Sequence, residues 1–101
     1  MTRPALLDTA TVDAALREAD SPWARDGDKL AVEFQFPTFM DAIGFVVTVA
    51  ENAERLNHHP DIDVRYTTVR LVVWTHDQGG LTELDLQLAE AATAAAAHQV
   101  D

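Results

Sequence analysis

The spacing of apolar positions changes period several times along the chain, and each change marks an element. Val12, Ala15, Leu16 and Ala19 recur at helical spacing, so Thr11 to Ala19 reads as a first short helix, with Thr11 as its cap and Ser21-Pro22 as its stop. Trp23 to Arg25 and Leu30 to Phe36 read as strands joined through the turn residues Asp26-Gly27-Asp28. In the second strand Leu30, Val32, Phe34 and Phe36 alternate with Ala31, Glu33 and Gln35, which predicts one buried and one wetter face. Thr38 to Leu56 is the main helix, opened by a capping-box-like pair of Thr38 and Asp41. Phe39, Ala42, Ile43, Val46, Ala50 and Ala53 form one apolar stripe, and Phe45, Val49 and Leu56 widen it. A helix apolar over that much of its girth packs on more than one neighbour.

Val64 to Tyr66 and Val69 to Thr75 are rich in β-branched residues and read as two more strands. Gly79-Gly80 breaks the chain, and Thr82 starts a last helix in which Asp85 is the capping carboxylate. Leu84, Leu88, Ala91, Ala92 and Ala95 line one side of it, and the alanine-rich run from Ala91 to Ala97 is helix-forming rather than disordered. The order is α-β-β-α-β-β-α. It predicts an α+β fold: a four-stranded antiparallel sheet with three helices on one face.

Composition narrows the picture. A length of 101 residues, 48% of them hydrophobic, supports a single domain over residues 1–101 with one modest core, for which subunit association would bury more surface. Seven Lys and Arg stand against seventeen Asp and Glu, a net charge of -10, which argues against nucleic-acid binding and against an anionic membrane surface. Cysteine is absent, which removes disulfides, thiolate metal sites and cysteine nucleophiles. The first fifteen residues contain Asp8 and Asp13 and no long apolar run, unlike a secretory signal. The expectation is a soluble, cytoplasmic protein.

The candidate chemistry lies in the histidines. If the main helix persists one more turn, Glu54 and His58 are i and i+4 neighbours, and a carboxylate beside an imidazole favours its protonated form. An imidazole that titrates near neutrality suits general acid-base work. The same residues read equally as a helix end with a surface ion pair, and His59, ahead of the reversal at Pro60, as a half-buried loop residue. His76 ends a strand beside Asp77 and the glycine pair, and His98 reads as a solvated helix end. Three histidines could instead ligate zinc, although adjacent histidines rarely reach one metal and no other ligand spacing is present.

Taken together, these residues form a string: Glu54, three residues, His58-His59-Pro60, five residues, Tyr66, nine residues, His76, eight residues, Asp85. It resembles the active-site signature of the pterin-4a-carbinolamine dehydratases, known in animals also as the dimerisation cofactor of a homeodomain transcription factor. Thr75-His76, Gly80-Leu81-Thr82, Phe45 and Trp23 look like the same family. The resemblance implies the fold derived above, a homodimer or homotetramer, and no metal or other cofactor. It implies a hydro-lyase that removes water from 4a-hydroxytetrahydrobiopterin, in the recycling pathway of an aromatic amino-acid hydroxylase. His58, His59 and His76 would be catalytic. Glu54, Asn57, Pro60, Tyr66, Trp74, Thr75, Asp77 and Asp85 would bind or position the substrate, with Glu54 orienting His58 and Asp85 positioning a histidine or water as well as capping its helix. Three positions depart from the family pattern: Asn57 is often Asp, Trp74 often Ser or Thr, and Leu84 often Arg. A rival reading is a protein-binding or assembly module that kept the dehydratase fold.

Overall fold

The computed structural model describes residues 5–99, so residues 1–4 and 100–101 of the single domain expected from the sequence lie outside it. The chain runs α1 (Thr9–Glu18), β1 (Ala24–Asp26), β2 (Lys29–Gln35), α2 (Phe39–Leu56), β3 (Asp61–Arg65), β4 (Thr68–Val73) and α3 (Glu83–Gln99), with a short 3-10 turn over His76–Gln78. The order is the one read from the sequence. The strands form one antiparallel sheet in the order β1-β2-β4-β3, so the two hairpins meet where β2 pairs with β4.

Alternation sets the faces. Leu30 and Val32 of β2 and Val69, Leu71 and Val73 of β4 are buried, and their registered partners place them on one side of the sheet. Against that side lie Ala42, Phe45, Val49 and Ala53 of α2 and Leu88, Ala89, Ala92, Ala95 and Ala96 of α3. Phe45 is the hub, edge-on to Phe34 at 5.4 Å and tilted against Phe36 at 4.9 Å. Trp23 closes the sheet onto α3, its indole nitrogen donating to Thr93 Oγ1 at 3.0 Å.

Several expectations shift. The core line of α2 is Ala42-Phe45-Val49-Ala53, whereas Phe39 and Ala50 of the expected stripe are exposed. Asp8, not Thr11, caps α1, accepting the Thr11 backbone N–H at 2.7 Å. β3 starts earlier than Val64, because Asp61 and Asp63 alternate outward on the open face, where β propensity alone gives no signal. Tyr66 belongs to no strand. With φ of 53° it sits in the two-residue turn between Arg65 and Thr68, 76% exposed and stacked on Phe39.

The first helix is tied to the first hairpin by Arg25, whose Nε and Nη2 donate to the two oxygens of Asp13 at 2.8 and 3.2 Å. Those bonds hold the Asp13 carboxyl below its usual 3.8. The folded value is depressed, so the pair's contribution is present above the unfolded pKa and is lost as pH falls through the folded one. Asp13→Asn should therefore lower the urea midpoint at neutral pH, and its difference from wild type should vanish in strongly acidic solution; parallel urea titrations check this.

Candidate active site

The site begins where α2 ends. Asn57 takes the left-handed conformation, φ 49° and ψ 46°, which Asn tolerates better than most residues. The Asn57 N–H bonds back to Glu54, and the His58 N–H bonds to Ala53 O at 2.9 Å, a Schellman closure. The reversal takes His58 off the helix, so the expected i, i+4 pairing of Glu54 with His58 does not form. Glu54 Oε2 instead meets His59 Nε2 at 2.5 Å, in an exposed pair on the surface.

His58 turns inward. Its Nε2 lies 2.6 Å from Asp85 Oδ1, and the Asp85 side chain is fully buried. A buried carboxylate persists only when its lone pairs are occupied. Asp85 Oδ2 accepts from the Thr82 backbone N–H and from Thr75 Oγ1, both at 2.8 Å. Thr75 and Thr82 hydroxyls are 2.7 Å apart. Thr75 spends its proton on Asp85, so Thr82 donates to Thr75 and in turn accepts from the Leu84 N–H at 3.3 Å. The capping carboxylate of α3 thereby joins three segments: the end of β4, the start of α3 and the reversal after α2.

This network fixes which imidazole nitrogen is available. The Asp85 carboxylate is an acceptor, so His58 donates from Nε2 and its neutral form carries the proton there. No fully buried side-chain nitrogen or oxygen lacks a hydrogen bond among the described residues. His58 Nδ1 makes no hydrogen bond among the described residues, and His58 lines the cleft.

The cleft has a volume of about 440 Å³ and is bounded by Asn57, His58, His59, Pro60 and Asp61 on one side and by Trp74, Thr75, His76, Asp77, Gln78 and Leu84 on the other. Its second wall is shaped by the bridge between Thr75 and Gly80, with Gly79 left-handed at φ 67°. His76 opens the 3-10 turn there, its ring stacked on Trp74 with centroids 4.0 Å apart and planes 13° apart.

Of the residues singled out in the sequence, His58, His59, His76, Asn57, Pro60, Trp74, Thr75 and Asp77 line this cleft. Asp85 stands behind His58, and Glu54 beside His59. Tyr66 is not brought to the cleft, because its turn lies with Phe39. The Thr75 side chain is directed at Asp85, so what it offers the cleft is backbone. Asp61, Gln78 and the network role of Thr82 went unread; the adjacency of Asp61 to Pro60 and of Gln78 to Gly79 was the available signal. Among the described residues no group of three or more His, Asp or Glu side chains is disposed to hold a metal ion, and His98 is exposed near the end of α3.

Thr75→Val should cost about 1–3 kcal/mol of stability, because it strips one donor from a buried carboxylate, whereas Thr75→Ser should cost less. Urea denaturation of the two variants beside wild type measures the difference.

Comparison with known proteins agrees with this architecture. The family model described as pterin 4 alpha carbinolamine dehydratase matches residues 5–95. A Thermomicrobium roseum protein provisionally named pterin-4-alpha-carbinolamine dehydratase is 47% identical over 85 residues, covering 84% of this chain and 90% of its own. A Mycobacterium tuberculosis protein with the same provisional name is 48% identical over 85 residues, covering 84% and 89%. The crystal structure of a transcriptional coactivator/pterin dehydratase from Brucella melitensis superposes with a TM-score of 0.85 at 33% identity, covering 91% of this chain and 99% of that one. A pterin dehydratase-like protein described as a RuBisCO assembly factor in the alpha-carboxysome shares the fold at 22% identity, with a TM-score of 0.64 over 73% of this chain and 88% of that one. With its signature residues other than Tyr66 gathered around one cleft and its relatives matched across nearly their whole length, this chain belongs to the pterin-4a-carbinolamine dehydratase family.

Proposed function

We propose that the chain is a hydro-lyase acting on a 4a-hydroxytetrahydropterin, with His58 and His76 as its acid-base groups. The observation that carries this reading is the convergence of three histidines on one cleft, one of them held through a single ring nitrogen by a fully buried carboxylate. The substrate bears a hydroxyl on C4a beside the N5 amine. Breaking the C4a–O bond needs a proton delivered to the hydroxyl, and forming the C4a–N5 double bond needs a proton removed from N5. One imidazole gives a proton and another takes one, so water leaves and the quinonoid dihydropterin forms with no net change in the protein's protons.

In this reading His58 works through Nδ1, since Nε2 is committed to Asp85. His76, stacked by its face, keeps both ring nitrogens at its open edge. His59, paired with Glu54, orients the ring. The backbone at Asn57 and from Trp74 to Asp77 offers hydrogen bonds to the pterin edge. Tetrahydrobiopterin recycling beside an aromatic amino-acid hydroxylase, in the cytoplasm and as a homodimer or homotetramer, is the setting we propose. No helix among the described residues is long and apolar enough to cross a membrane. The alternative, an assembly module that kept the fold, has less support, because scaffolding makes no demand on a buried network that aims one histidine at a cleft.

The test is the breakdown rate of 4a-hydroxytetrahydropterin. Wild type should exceed the uncatalysed rate, and His58→Ala and His76→Ala should each lower kcat by about 10²–10⁴-fold. A wild-type rate equal to the uncatalysed one overturns the enzymatic reading, and a co-purifying partner together with no pterin binding would favour the assembly module.

A further inference from the structure

The three cleft histidines are not held in the same way. His58 is held by Asp85 and His59 by Glu54, each through Nε2. His76 is exposed and hydrogen-bonds to no side chain among the described residues; its ring lies on Trp74 at 4.0 Å, nearly parallel. A side chain at the mouth of a turn has several open rotamers, and a flat contact of this kind is what selects one of them. Trp74 has a second contact. The β2–β4 register ends with Leu30 opposite Val73, so the next step places Lys29 beside Trp74, and Lys29 Nζ sits 4.2 Å from the indole centroid.

We propose that Trp74, itself in contact with Lys29, is the positioning residue for His76. The indole selects one imidazole plane and leaves both ring nitrogens at the edge of the cleft. The inference rests on the acid-base role proposed above for His76. It also changes what Trp74 does at the site. The imidazole, about 4 Å from the indole, occupies ring area on which a planar heterocycle would stack, and an ammonium also lies over a Trp74 ring. Trp74 therefore acts on the reaction through His76 rather than as a platform for the pterin. It stands where the family often has Ser or Thr, so this is a way of holding His76 that a hydroxyl side chain cannot provide.

The kinetics of Trp74 variants separate the two roles. Trp74→Ala should lower kcat about 10- to 100-fold with KM nearly unchanged, the scale expected when a reacting group loses its placement. Trp74→Phe, which keeps an aromatic face, should recover most of the loss, and Lys29→Ala should cost about two- to fivefold. In a His76→Ala background Trp74→Ala should have almost no further effect. A rise in KM at constant kcat, or a full additional loss in the His76→Ala background, would overturn the proposal. A second readout needs no turnover: the His76 ring protons should be shifted upfield by the indole in NMR spectra of wild type and return toward ordinary values in Trp74→Ala. Unshifted protons in wild type would refute the stack itself. Inactive wild type with shifted protons would instead count against the dehydratase reading and against any catalytic consequence of the stack.

Discussion

A carboxylate removed from water has to be surrounded by donors, and the site depends on how Asp85 meets that demand. The side chain is fully buried and takes hydrogen bonds from a backbone amide, a threonine hydroxyl and an imidazole. Each donor comes from a different segment: Thr82 from the start of α3, Thr75 from the chain just after β4, and His58 from the reversal that ends α2. These contacts close both walls of the cleft around one charge. Replacing a single partner by an apolar group leaves the carboxylate short of a bond, whereas the exposed pair of Glu54 and His59 tolerates such a loss at little cost. Two histidine–carboxylate contacts of nearly equal length thus differ in consequence because one is buried and the other solvated.

Much of this was legible in the chain. Alternation in β2, the caps at Thr38 and Thr82, and the break at Gly79-Gly80 are local signals, and local signals survive folding. The string from Glu54 to Asp85 marked the residues of the site. Their partners were harder to read. Helical spacing pairs Glu54 with His58 only if the helix continues, and the left-handed backbone of Asn57 stops it one residue too soon. A single φ value moves His58 from the surface to the interior and passes Glu54 to His59. Asp85 was recognisable as a cap and as a group that could position a histidine or water, but that the histidine is His58, 27 residues away, is a tertiary fact. Tyr66 fits the signature by spacing, yet its side chain is committed to Phe39, outside the cleft.

The departures from the family's usual residues also acquire physical meaning. Asn57 replaces an Asp at a backbone conformation that Asn accepts well. Trp74, where the family often has Ser or Thr, provides a face for His76 and is itself in contact with Lys29 from the neighbouring strand. Leu84 lines the cleft where the family often carries a cation, so an apolar side chain stands at that position in a cleft that holds the carboxylates of Asp61 and Asp77. The first is a matter of chain geometry. The other two bear on how the site holds its groups and which substrate edge it meets.

The buried Asp85 carboxylate sets His58 with its proton on Nε2 and leaves Nδ1 as the ring nitrogen not committed to it. Long-range proton–nitrogen correlation NMR on the wild-type protein, at a pH where the imidazole is neutral, tests it without reference to any activity. A protonated Nε2 and an unprotonated Nδ1 are expected for His58. A proton on Nδ1, with Nε2 bare against Asp85, would contradict it.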